Sequence, residues 1–420
     1  MRDAGAIDEV VPTAARPVGL ARVSALIPAL LVWFGLAAGC SGNAPTVTQT
    51  SATPGTQTSW AGSVTPEVRV RLAATQRDGK AQVSVAGAWV LSDLKGAQLA
   101  VGSGLSGELL LSTTRATLAG RSLPRDGAIL TPQTDGDLRI GKRRYPGVLR
   151  IARSVGGEQG AFVVMDLETY VAGVVPGEIP AKFHREAQRT QAILARTYAL
   201  SSVPADAQGA PIVVSDSGGK DQEYHGIPAV AAHQRIARDA TETTRGLVLL
   251  DGATPLRAWY HSTCGGRTAS AASVFGVPDR VALSGVRCDW CTSSKYFRWN
   301  TRLVAKDVVR AAGLKGALEA FEVTSRDVGG RATRLRIRAG GKSRDVDAPV
   351  FRLRIGPSKM RSCQLDQIDV AGGELVIAGR GWGHGVGLCQ IGANTLAGQS
   401  ARAEDIVRTY YPGALVVKLW

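Results

Sequence analysis

Three short segments of this 420-residue chain hold side chains whose types and spacing could do chemistry. The first, Leu167 to Pro180, carries Glu178 between Gly177 and Ile179. Proline suits the first turn of a helix, so the spacing predicts a helix that begins just after Glu178. A carboxylate at a helix N-terminus is stabilised in its charged form. A general acid needs the opposite, and Ile179 with the Val174–Val175 pair are apolar walls that could desolvate it. Without that desolvation Glu178 is only a helix-end charge. Arg196, in Arg196-Thr197-Tyr198, would lie about 25 Å from Glu178 along one continuous helix. It reads either as a salt bridge in the core or as a substrate-holding group on another wall.

The second segment is Trp259 to Thr268, followed by Cys288-Asp289-Trp290-Cys291. His261-x2-Cys264 with Cys288-x2-Cys291 has the spacing of a zinc site of two short ligand pairs. In an exported protein the same cysteines could equally form a disulfide and leave His261 free. A Ser262 or Cys264 nucleophile activated by His261 is disfavoured, because neighbours on a strand face opposite ways and no orienting acid is marked. The third segment, Gly379 to Gln390, sets Trp382 and His384 in a frame of glycines, with Arg380 and Gln390 beside them. Glycines let a backbone approach a ligand closely, and a tryptophan face suits a sugar ring. No Lys-Ser/Thr follows, so this is not a phosphate loop.

Positioning these groups requires both helices and strands. Period-2 alternation marks strands at Val68–Leu72, Gln82–Leu91, Leu138–Ile140, Val148–Ile151 and Phe162–Met165, so residues 67–160 form a β-rich region. Helical spacing runs from Pro180 to about Ser201, then over Val230–Thr244, Val304–Ala312, Ala393–Ala397 and Ala403–Tyr410. Strands return at Leu247–Leu250, Arg257–His261 and Thr333–Arg338. Interspersed helices and strands without βαβ repetition make the fold class α+β, with a mixed catalytic region over 161–420.

The N-terminus reads as an address. Arg2, Arg16 and Arg22 precede an apolar stretch from Ala25 to Ala38, which ends in Gly39-Cys40. This is an export signal over 1–39, and its small-residue ending resembles a bacterial lipobox in which Cys40 takes the lipid. Residues 41–66 contain no charge and are rich in Ser, Thr, Gly and Pro, so 40–66 reads as a lipidated cysteine on a disordered tether. The chain is then exported and lipid-anchored in the envelope, facing the periplasm or wall. Lys+Arg 50 against Asp+Glu 35 gives a net charge of +15, which favours anionic partners. Export and the lack of a basic-aromatic motif argue against nucleic acid. A hydrophobic share of 44% excludes wholesale disorder.

Taken together, the segments resemble the stage II sporulation protein D family, which includes amidase-enhancer relatives. The matching blocks are Leu167–Pro180, the helix through Ala192–Ala199, Asp221–Gly226, Thr244-Arg245-Gly246, His261–Thr268, Gly381–Ala393 and Tyr410-Tyr411-Pro412-Gly413. They span about 160–413; residues 67–160 match weakly and 1–66 not at all. The resemblance implies a peptidoglycan lytic transglycosylase acting on denuded glycan strands, with Glu178 at the position of the catalytic acid. One carboxyl suffices there, because the muramic acid's own 6-hydroxyl replaces the water or second carboxylate of an ordinary glycosidase. Arg196, Tyr224, His261, Tyr296, Trp382, His384 and Gln390 would line the substrate groove by position. No cofactor is required. Some members carry a Cys/His metal cluster before the Gln-x-Tyr segment, but Ser215–Tyr224 has no cysteine here. A structural zinc would therefore use Cys264, Cys288, Cys291 and His261. Partners implied are glycan strands, a cell-wall amidase and a membrane through the lipid. The rival reading is a non-catalytic, glycan-binding lipoprotein that stimulates or recruits an amidase, since fold alone does not establish catalysis.

Overall fold

The computed structural model describes residues 64–420, apart from 135, 154–158, 205–206, 208 and 218–220. The export signal, Cys40 and the tether up to residue 63 lie outside them. Among the described residues no helix is long and apolar enough to cross a membrane.

The alternation at Val68 and Val70 becomes strand Glu67–Arg71, whose valines are buried while its arginines stay half-exposed. This strand pairs antiparallel with Gln159–Asp166 and parallel with Ile212–Ser215. It thereby joins the N-terminal β region to the rest in one eleven-stranded sheet. Strand Gln159–Asp166 runs through residue 160 and leads straight into a helix.

The helices are α1 (Ala73–Asp78), α2 (Leu167–Glu178), α3 (Arg185–Leu200), α4 (Ala231–Thr243), α5 (Ala271–Phe275), α6 (Ala305–Ala311), α7 (Ala348–Ile355), α8 (Gln390–Gly398) and α9 (Ala403–Tyr410). The fold is α+β, as the interspersed pattern implies. One difference from the sequence reading changes the chemistry. The helix expected to start at Pro180 starts at Arg185, while Leu167–Glu178 is itself helical. Asp166 caps α2 by accepting the Thr169 N–H at 3.0 Å. Ile179 is extended and Pro180 follows, which stops the helix at Glu178. Glu178 therefore stands at a helix C-terminus, not at an N-terminus.

Buried side chains gather in two clusters. The larger packs α2, α3, α8 and α9 against the large sheet. The smaller lies within residues 298–380, around Trp299, Val308, Phe321, Leu335, Phe351 and Ile377. Two three-stranded antiparallel sheets frame it, 298–304/374–380/364–371 and 318–326/332–339/342–347. This module leaves the chain after Phe297 and returns at Gly381, whose N–H donates to the Tyr296 carbonyl at 3.0 Å. Much of its positive charge is locally paired: Arg334, Arg336 and Arg338 meet Asp347, Asp345 and Glu319.

Arg196 on α3 is fully buried and grips Glu168 of α2 with two bonds, Nε at 3.0 Å and Nη2 at 2.6 Å. Its Nη1 donates to the Leu247 carbonyl at 3.0 Å. Expected in the groove, this guanidinium instead belongs to the scaffold. Replacing Arg196 with Leu leaves Glu168 buried without its counter-ion and is expected to lower unfolding free energy by about 3–5 kcal/mol in urea titrations. A groove residue would lose well under half of that.

Candidate active site

Glu178 is only 2% exposed. Two glycines one turn apart on α2 make room for the segment that covers it. A Cβ at Gly173 would sit 2.4 Å from the Tyr224 ring, and one at Gly177 would sit 2.5 Å from the Glu223 carbonyl oxygen. Because both lack a Cβ, residues 222–224 lie flat on the helix, and the Glu223 N–H donates to Glu178 Oε1 at 2.7 Å. The nearby Tyr260 hydroxyl favours the charged form of the carboxyl. Burial pushes the Glu178 carboxyl up to about 7, with the Glu223 carboxylate adding to the rise; the Glu223 N–H, Tyr260 and His225 pull the other way. The carbonyl end of α2 works in the same upward direction as burial.

Tyr260 was not among the residues expected to act. Burial and the neighbouring Glu178 hold its phenol well above the ordinary range, so it remains a proton donor. Gln222 Nε2 donates to its oxygen at 3.2 Å, and the Tyr170 hydroxyl reaches Gln222 Oε1 at 3.5 Å. Gln390 completes the wall: its Nε2 donates to the Glu178 carbonyl oxygen at 2.9 Å and to Gln191 Oε1 at 3.2 Å. Gln390 is buried and holds the main chain of the acid in place.

Strand Tyr260–His261 pairs in parallel with Leu388–Cys389, which brings the second and third sequence segments together. Alternation turns Tyr260 to Glu178 and His261 to the glycine loop. His261 Nδ1 lies 3.1 Å from the Val386 carbonyl; since a carbonyl only accepts, Nδ1 carries the hydrogen. Burial, with His384 and Arg331 nearby, holds His261 well below its ordinary value, so the ring is neutral. The His384 ring stands 5.6 Å from it, and His384 Nδ1 accepts the Val386 N–H at 3.0 Å. Half-exposed, Tyr296 and Trp382 meet edge to face at 4.2 Å, with the Arg361 guanidinium 5.8 and 5.6 Å from their rings. Arg361, from the 298–380 module, is a cation beside both rings that no sequence motif marked.

Two further expectations change. Tyr224 is buried, stacked 5.1 Å from Tyr170 with its hydroxyl toward Met165 Sδ at 3.3 Å, so it packs the core rather than a groove. His261 does not join the cysteines, because its ring is turned to Val386. The sulfurs of Cys264, Cys288 and Cys291 meet that of Cys389 instead, all within 4.8 Å of one another. The cysteines among the described residues, Cys363 included, are unbridged. Four sulfurs at that separation are a donor set for a thiophilic cation.

The family model described as stage II sporulation protein matches residues 156–250, the stretch from the last strand before α2 to the strand after α4. The stage II sporulation protein D of Bacillus amyloliquefaciens is 30% identical over 262 residues, 59% of this chain and 73% of that protein. Its namesake from Bacillus subtilis is 28% identical over 270 residues, covering 60% and 74%. An amidase enhancer of Bacillus subtilis is 24% identical over 289 residues, covering 57% of this chain and 39% of its own length. Matches of this extent, with the family model taking in the helix that ends in Glu178, establish that the chain belongs to the stage II sporulation protein D family.

Proposed function

We propose that this protein is an envelope-anchored lytic transglycosylase that cleaves denuded peptidoglycan strands, with Glu178 as its only acid and base. Family membership and a relative named as an amidase enhancer support a cell-wall role. The observation that carries the enzymatic reading is the Glu178 carboxyl, which burial raises to about 7 and which therefore keeps a proton near neutrality. In the reaction Glu178 gives that proton to the glycosidic oxygen as its bond to C1 of the muramic acid breaks. The 6-hydroxyl of the same sugar then bonds to C1 and returns its proton to Glu178. No water enters, and the product is a 1,6-anhydro end. Tyr260 and the Glu223 N–H stabilise the carboxylate between the two transfers. Tyr296, Trp382 and Arg361 offer stacking faces and a cation to the anionic glycan. The lipid on Cys40 would hold the enzyme at the membrane.

The enclosure of Glu178 favours a second reading. At 2% exposure the carboxyl presents almost no surface to a polymer in the described conformation. In a glycan-binding lipoprotein that stimulates an amidase it would serve structure alone. Mass spectrometry of soluble products from amidase-treated sacculi separates the two. The transglycosylase releases anhydro-glycans, and Glu178→Gln lowers their yield about 10²–10⁴-fold while glycan still binds. Saturable binding with no anhydro ends from the unaltered chain would leave the enhancer reading.

Two pH effects follow. A carboxyl raised from 4.5 to about 7 by folding gives its full stability below 4.5 and loses it as pH rises through 7. The loss is on the order of 3 kcal/mol, and Glu178→Gln should flatten that part of the curve in urea titrations from pH 4 to 8. Activity needing the protonated acid falls above about 7. Tyr260→Phe removes a donor that favours the carboxylate, so the falling limb should move to higher pH.

A further inference from the structure

Four buried sulfurs from three distant segments converge beside the site. Cys264 lies three residues past the strand of Tyr260 and His261, Cys288 and Cys291 bracket one tight turn, and Cys389 caps α8. They lie within 4.8 Å of one another, with Cys264 and Cys291 at 3.4 Å. A tetrahedral zinc with Zn–S bonds near 2.3 Å places its sulfurs about 3.8 Å apart. The surroundings suit anionic sulfur. The Cys264 and Gly392 N–H groups donate to Cys389 Sγ at 3.3 and 3.4 Å, and the N-terminus of α8 points at it. The Tyr410 hydroxyl lies 3.1 Å from Cys288 Sγ. A Cβ at Gly392 would come within 2.1 Å of that hydroxyl and 2.9 Å of the sulfur, so the shell closes only around glycine.

We propose that Cys264, Cys288, Cys291 and Cys389 bind one structural zinc ion. All four positions are filled by protein and buried, so the ion would fix structure rather than meet substrate. It would pin the strand of Tyr260, the 288–291 turn and the start of α8 to one point. His261 is outside the ligand set. This inference stands independently of the transglycosylase reading.

The test uses the full chain purified anaerobically and analysed for metal, with peptide mass mapping of the thiols after non-reducing denaturation. One zinc per chain with all four cysteines as free thiols is the expected result, and a strong chelator should lower Tm by roughly 10 °C. Exchange with cobalt chloride should give the sulfur-to-metal charge-transfer band of four thiolates. Cys389→Ser should weaken and blue-shift it, whereas His261→Ala should leave it unchanged. Should Cys389→Ser misfold, the band intensity of the unaltered chain still counts the thiolates. Two mapped disulfides with no bound metal, a Tm indifferent to chelation, or a cobalt spectrum altered by His261→Ala would each overturn the proposal.

Discussion

The Glu168–Arg196 pair fixes the frame on which the site is hung. A buried charge is tolerable only when it is paired and its remaining lone pairs are satisfied. Glu168 meets that condition fully: Oε1 accepts from Arg196 Nε, the Gly246 N–H and Trp420 Nε1, each at 3.0 Å, while Oε2 takes Arg196 Nη2. Those donors come from α3, from the turn after α4 and from the C-terminal residue. One carboxylate in the first turn of α2 thus sets that helix against three other parts of the molecule. The direction of α2 decides where its last residue, Glu178, emerges.

The two glutamates of α2 then show how position alone assigns roles. Glu168 sits at the amide end with an arginine across it. Glu178 sits at the carbonyl end, where its carboxyl accepts a backbone N–H and faces no arginine among the described residues, with the Tyr260 phenol nearby. Both lie in the interior, and at Glu178 that interior drives the carboxyl toward its neutral form. The Gly173–Gly177 face is what permits this, because it lets residues 222–224 close over the carboxyl and exclude water.

The same glycines explain what the sequence concealed. Alternating strands such as Val148–Arg153 and amphipathic helices such as α4 and α9 are legible, because one buried face imposes a period. Helix α2 is not. It is apolar on most sides and carries Gly173, Pro176 and Gly177, residues that ordinarily break helices. A helix beginning at Pro180 would put Glu178 at the wrong pole and reverse the sign of the dipole. Arg196 and Tyr224 carry the right residue types for a groove, but their burial depends on packing partners far along the chain. Cys389 escaped the ligand set for a related reason: the parallel pairing of residues 260–261 with 388–389 is a long-range register that local spacing does not encode.

That register also couples the thiol cluster to the acid. Cys389 and Gln390 are neighbours, one sending its sulfur to the cluster and the other its amide to the Glu178 carbonyl oxygen. On the opposite strand Tyr260 lies beside the Glu178 carboxyl, and just past that strand Cys264 joins the sulfurs. Anything that locks the four sulfurs therefore steadies both the start of α8, which holds the Glu178 backbone, and the segment that carries Tyr260. A reaction run by a single carboxyl has the most to gain from such a clamp. In the proposed transglycosylase reaction the group releases a proton to one oxygen and recovers it from another without a second residue to correct its aim, so the precision would come from the wall around it.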